Sequence, residues 1–177
     1  MYWTYDFSNN HATGPYGAVI LAYGYIPAQD TFLIVSQLEY GKPVVNPPIL
    51  QNFTKILSIG GTMRISNLTG LMEELLWSTW AQVSERCQVC PSWKLINCKQ
   101  TYWTATFKNT AALTSHIQAI FVEEINKIKG ISDFLPVCVF QPISKCIPSN
   151  FANNGGNALG MTPADGPLSR KFLNSKF

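Results

Sequence analysis

The chain has 177 residues, enough for one domain, and its hydrophobic share of 46% is ordinary for a globular fold. Only 13% of the residues are charged, against roughly 25% in typical soluble domains, whereas 12% are aromatic. The net charge of +3 comes from scattered Lys and Arg, which argues against a nucleic-acid binder, and the longest apolar run, residues 18–26, is far shorter than the roughly 20 residues of a membrane helix.

The low charge and the high aromatic content predict that one face of the domain is normally covered. A monomer rarely exposes large apolar patches, so a ligand, another domain or a partner would provide the cover. The alternative is that the fold buries its aromatic side chains well and has few surface charges.

The first half of the chain predicts a hairpin followed by short helices. Residues 17–26 and 31–39 are apolar runs separated by a polar break, which is typical of a β-hairpin. Residues 46–56 begin with prolines and continue at helical spacing, and they predict a short helix. A brief strand is expected at residues 62–66, followed by a helix that Ser66 or Asn67 caps.

The second half predicts two strands around one long helix. Residues 76–99 show no sustained period and receive no assignment. Residues 100–108 alternate with a period of two, as strands do. Asn109 or Thr110 is expected to cap an amphipathic helix, and residues 135–143 predict another strand.

An opening hairpin and an irregular alternation of strands and helices favour an α+β fold. We expect an antiparallel or mixed β-sheet with helices packed on one face, rather than a doubly wound parallel sheet. The opposite face of the sheet would then be left for solvent or for a ligand.

Four stretches of the chain, taken in order, resemble the substrate domain of fungal FAD-linked oxidoreductases. The family is the berberine-bridge-enzyme-like group of the vanillyl-alcohol-oxidase superfamily. The stretches are residues 36–48, 63–69, 100–109 and 154–161, the last leading into 165–168. The resemblance implies that residues 1–168 are a partial substrate-binding domain whose sheet lies over a flavin ring in the intact enzyme. It also implies a small-molecule substrate oxidised in secondary metabolism.

Three departures from that family shape the expected function. The 177 residues contain no FAD-binding domain with a glycine-rich phosphate loop, residues 76–99 replace a short connection, and residues 169–177 form a tail unlike the family. We therefore expect an incomplete domain that holds no FAD alone and needs a flavin-binding domain or subunit for oxidase activity. The alternative is a non-catalytic truncated remnant or binding module.

The resemblance places the substrate against the open side of the sheet. Tyr102 and Thr104, in a row with Thr106, offer an aromatic wall with hydroxyl groups, and Gln141 on the other strand can donate or accept a hydrogen bond. The alternative is that Tyr102 and Thr104 are ordinary strand residues.

A loop with paired glycines is the second candidate region for substrate binding. Glycine has no Cβ, so the backbone from Asn154 through Gly155 and Gly156 to Asn157 can approach a ligand closely. A plain turn is the alternative. The paired glycines are no phosphate-binding fingerprint, because no G-x-G-x-x-G sequence is present.

Neither a catalytic residue nor a metal site follows from the remaining polar residues. His11 is expected in a loop and His116 on the long helix, both in structural roles. Five cysteines are an odd number, so at least one thiol stays free, and Cys87, Cys90 and Cys98 lack a fourth ligand for zinc.

The first residues, Met-Tyr-Trp-Thr-Tyr-Asp, do not have the pattern of a secretory signal. The sequons at Asn52 and Asn67 would matter only if a further segment directed export. The compartment therefore stays open.

Overall fold

A computed structural model of the protein describes residues 2–10, 14–73, 100–131, 134–151, 154–158 and 160–176. Its centre is one sheet of five strands. The strands are β1 Gly17–Ile26, β2 Thr31–Tyr40, β3 Gln100–Lys108, β4 Leu135–Ile143 and β5 Leu168–Lys176. Their order is β2-β1-β4-β5-β3, and every neighbouring pair is antiparallel. The expected α+β fold is confirmed, with an antiparallel sheet.

The predicted hairpin is formed by β1 and β2, which pair from Gly17 opposite Tyr40 to Ile26 opposite Thr31. Asp30 closes the turn in the left-handed conformation, with φ of 44°. Its carboxylate accepts a hydrogen bond of 2.8 Å from the Tyr25 hydroxyl and contacts the Lys129 ammonium at 3.1 Å. The turn is therefore tied to the end of the long helix.

Five α-helices accompany the sheet in the described part of the chain. They are α1 Tyr2–Asn10, α2 Gln51–Thr54, α3 over residues 68–73, α4 Ala111–Ile128 and α5 Cys146–Phe151. A 3-10 turn, Pro48–Leu50, precedes α2 where the sequence predicts a short helix. The Thr110 hydroxyl accepts from the Leu113 N–H at 3.2 Å, and the Asn67 side chain accepts from the Gly70 N–H at 2.8 Å. Both expected caps are confirmed.

The prediction of a strand at residues 62–66 is wrong. Residues 60–67 form neither helix nor strand, and Met63 and Ile65 are exposed. Apolar alternation over five residues cannot make a strand by itself, because a strand needs a neighbour for its N–H and C=O groups. Within the described residues, no strand pairs with this segment.

Sequence analysis did not predict α1, α5 or β5. β5 is the most consequential, because it lies inside the sheet between β3 and β4. Its sequence, Leu-Ser-Arg-Lys-Phe-Leu-Asn-Ser-Lys, is too polar to suggest an inner strand. β5 is held in place by its pairing with a strand on each side. Local sequence patterns do not reveal such pairing, because the partner strands are distant in the sequence.

The core lies between one face of the sheet and the helices. Alternate residues of β1 and β4 are buried, and Leu21 stands opposite Phe140 and Tyr23 opposite Cys138. The helices and the adjoining turn add further apolar side chains, namely Phe7, Leu50, Phe53, Phe121 and Ile125. Helices therefore cover one face of the sheet, as expected.

Replacing Phe140 by Ala should destabilise the protein by about 3–5 kcal/mol, because the side chain is only 1% exposed and its removal leaves a cavity. Val139→Ala, on the opposite face of the same strand, should cost only about 1 kcal/mol. Urea unfolding followed by circular dichroism measures both. Equal losses would contradict the assignment of the two faces.

Asp30→Asn should weaken the protein only where the carboxylate is ionised. The hydrogen bond from Tyr25, followed by the contact with Lys129, lowers the pKa of Asp30 below its ordinary 3.8. A lowered folded pKa gives stability that is present above the ordinary value and is lost as the pH falls through the folded one. Thermal melts of the two proteins should differ at pH 7, and the difference should shrink as the pH falls below 3.8, whereas a difference that grows on acidification would contradict the contact.

Candidate functional site: the open face of the sheet

The face of the sheet opposite the helices is not buried. In β1 and β4 every second residue is buried and most of those between are partly exposed, while Val35 on the edge strand β2 is 53% exposed. We call this surface the open face. Its central part is formed by Ile20, Ala22, Val35, Gln37, Thr104, Thr106, Val139, Gln141, Arg170 and Phe172.

Two rows of side chains cross the middle of the open face. In the first row, Phe172 lies between Thr104 of β3 and Val139 of β4. In the second row, Arg170 lies between Thr106 of β3 and Gln141 of β4. Directly opposed residues of antiparallel strands have Cβ atoms about 4.5–5.5 Å apart, so each row is a continuous strip of neighbouring side chains.

The sheet brings the predicted strand residues to one face. Tyr102, Thr104 and Thr106 follow one another on β3, and Gln141 is on the same side of β4. β5 lies between the two strands, so Gln141 is not an immediate neighbour of the β3 row. Tyr102 is 62% exposed on the edge strand and stands in register with Asn174. Their role in substrate binding stays a prediction.

Sequence analysis did not identify Arg170 and Phe172, which also lie on the open face. The Arg170 guanidinium carbon lies 4.6 Å from the centre of the Phe172 ring, within the range of a cation–π contact. The two residues alternate with Leu168 along one side of β5, which is the signal that a strand assignment of residues 168–176 would have revealed.

The predicted loop residues Asn154, Gly155, Gly156 and Asn157 lie after α5, outside the strand rows. Gly155 and Gly156 have φ of 83° and 89°, which side chains rarely adopt. The Asn157 side chain donates to the Met161 carbonyl at 2.9 Å and accepts from the Met161 N–H at 3.1 Å. The loop is therefore shaped by its own hydrogen bonds, and its contact with a ligand stays a prediction.

This loop does not suit the pyrophosphate of a dinucleotide. Such a group binds where several N–H groups point outward at the N-terminus of a helix that follows a strand. Here the glycines follow the six-residue helix α5, and the Gly156 N–H already donates to the Phe151 carbonyl at 2.7 Å. The open face, by contrast, presents partly exposed apolar side chains, Ala22, Val139 and Phe172 among them.

Of the other polar candidates, the structure describes His116, which is on a helix and not on the open face. His116 is exposed on α4, and His11 lies outside the described residues, as do Cys87, Cys90 and Cys98. Within the described ranges, no group of three His, Cys, Asp or Glu side chains could hold a metal ion. No helix among the described residues is long and apolar enough to cross a membrane.

A separate cleft of about 560 Å³ lies beside the end of the hairpin. The segment after β2 lines one side, and residues 63–68 with Leu71 line the other. Asn46 bends this segment with φ of 54°, and its side-chain oxygen accepts from the Thr54 hydroxyl at 3.0 Å. Two of the sequence stretches that carry the family resemblance, residues 36–48 and 63–69, therefore meet at this cleft.

Comparison with known proteins gives a distant similarity to fungal FAD-dependent monooxygenases. The chain is 24% identical to the FAD-dependent monooxygenase drtC of Aspergillus calidoustus over 88% of its length and 27% of that protein. It is 29% identical to the FAD-dependent monooxygenase FUP4 of Fusarium proliferatum (strain ET1) over 69% of its length and 23% of that protein. The chain thus spans about a quarter of these relatives. No family model and no solved structure matches.

Asn157→Ala should loosen the loop that ends at Met161 without unfolding the sheet, because it removes both hydrogen bonds to Met161. Hydrogen exchange of the Met161 N–H should become faster, whereas exchange of β4 and β5 should be unchanged. Asn154→Ala, which removes a single bond to the Asn150 carbonyl, is the milder control. Unchanged exchange in the Asn157 variant would contradict a structural role for its side chain.

Proposed function

We propose that the chain is the substrate-binding portion of an FAD-linked oxidoreductase of the berberine-bridge-enzyme-like group. In this role it contributes to the oxidation of a small organic molecule in secondary metabolism. The substrate lies on the open face, where Tyr102, Thr104 and Gln141 contact it. The chain is expected to be inactive alone.

The observation that carries the proposal is the partly exposed face of the sheet, on which apolar and polar side chains are mixed. Partly exposed apolar residues such as Ala22, Val139 and Phe172 lie beside a row of polar side chains that includes Gln141. Small-molecule sites combine apolar side chains with polar groups that orient the ligand, and both kinds of side chain are present on this face. The similarity to FAD-dependent monooxygenases supports a flavin as the cofactor that meets this surface.

We propose that protein outside these 177 residues holds the FAD. The flavin supplies the redox chemistry when it is bound, and the residues of this chain bind and orient the substrate and exclude water from it. This division agrees with the loop at Gly155 and Gly156, whose geometry does not suit a pyrophosphate. The loop residues Asn154 and Asn157 would then border the substrate rather than the cofactor.

The experiment compares FAD with riboflavin, which has the same ring system without the pyrophosphate and the adenosine. The purified chain is titrated into each flavin, and the flavin fluorescence is followed. If only the ring meets the open face, the two dissociation constants should agree within about threefold. A protein with a dinucleotide cradle would instead bind FAD far more tightly than riboflavin, because each phosphate contact adds affinity.

Two variants locate the binding surface. Val139→Asp places a charge in the centre of the open face and should abolish flavin binding, whereas Ile120→Asp, on the exposed side of α4, should not. Stoichiometric FAD that stays with the chain through gel filtration would contradict the proposed division. Absence of any binding that depends on Val139 would favour a non-catalytic remnant or a different binding module.

A further inference from the structure

Among the residues that the structure describes, the positive charge of Arg170 on the open face has no partner of opposite charge. Within the described residues, no carboxylate lies within ion-pair distance of Arg170. Its cross-strand neighbours, Thr106 and Gln141, are neutral. The remaining contact is with the ring of Phe172 on the same strand. Water can still solvate the guanidinium, because Arg170 is only partly buried.

Covering this face changes the energetics of the charge. When a ligand or a domain displaces water, an unpaired guanidinium loses its solvation, and that loss is large in a poorly polar site. The cation–π contact with Phe172 recovers only a part of it. A ligand or domain that binds this face tightly must therefore place a negative charge next to Arg170.

The geometry of the guanidinium selects the kind of anion. The group is planar and presents its N–H donors as a fork, which matches the two oxygens of a carboxylate. Phe172 supports it, and Thr106 and Gln141 on either side offer further hydrogen-bond donors. Next to this polar row, Val139 and Ala22 continue the Phe172 row as an apolar floor.

We infer that the open face is a carboxylate site, in which Arg170, supported by Phe172, binds the acid group of a small molecule with a flat apolar body. This inference rests on the proposed function in that it names the chemical class of the substrate. Arg170 is then the residue that determines specificity for an acid over its neutral analogue. Thr106 and Gln141 orient the carboxylate, and the apolar row receives the rest of the molecule.

The experiment measures the binding of 4-fluorobenzoate and of 4-fluorobenzamide to the full chain by fluorine NMR. The two probes have the same shape and differ in charge. The benzoate should bind roughly 10- to 100-fold more tightly than the amide, which is the range expected for a hydrogen-bonded charge pair. Equal affinities for the two probes would overturn the inference.

Arg170→Gln should remove the preference for the benzoate while leaving the weak binding of the amide. Arg170→Lys keeps the charge without the planar fork, so it should retain only part of the preference. Arg64→Gln is the matched control, because it removes the same charge from an exposed position in the separate cleft beside the end of the hairpin. Circular dichroism melts verify that each variant is folded. A full preference retained in folded Arg170→Gln protein would also overturn the inference.

The outcome is separable from that of the flavin titration. Benzoate binding that depends on Arg170, together with no flavin binding, would retain the carboxylate site and reject the flavin-linked role. Flavin binding that depends on Val139, together with equal affinities for the two fluorinated probes, would retain the flavin-linked role and reject the carboxylate site.

Discussion

The pairing of β5 with both of its neighbours is the interaction on which the rest of the structure depends. Each of its nine residues is in register with β3 on one side and with β4 on the other. Without β5, the strand that carries Tyr102 and Thr104 would have no connection to the sheet. With it, Phe172 and Arg170 lie next to the central strand β4 on a face that extends from β2 to β3.

The unequal cover of the two faces links this fold to its proposed role. One face is packed by helices around Cys138 and Phe140, and burial there raises the pKa of the Cys138 thiol to about 11, so the thiol stays protonated at neutral pH. The other face keeps apolar side chains in partial contact with water. Such a domain is stabilised when a ligand or another protein surface covers its second face, because apolar side chains are then removed from water.

The chemistry of the open face and the distant similarity support the same class of function for different reasons. The similarity indicates the cofactor class of the relatives, FAD, but says nothing of a ligand for this chain. The register of the strands places Arg170 between Thr106 and Gln141, and this placement is the basis of the proposed acid ligand. Binding and specificity can therefore be tested on the chain itself.

The sequence alone determined the elements whose periodicity is strong and local. The hairpin, β3, β4, the capped helix α4 and the α+β class follow from alternating or helical patterns, because such patterns record which side of an element is buried. Only the tertiary structure decided that residues 168–176 are an inner strand, since their ladders come from partners at distant positions. The same long-range pairing brought Arg170 to Gln141, and no local pattern predicts which side chains two non-adjacent segments place side by side.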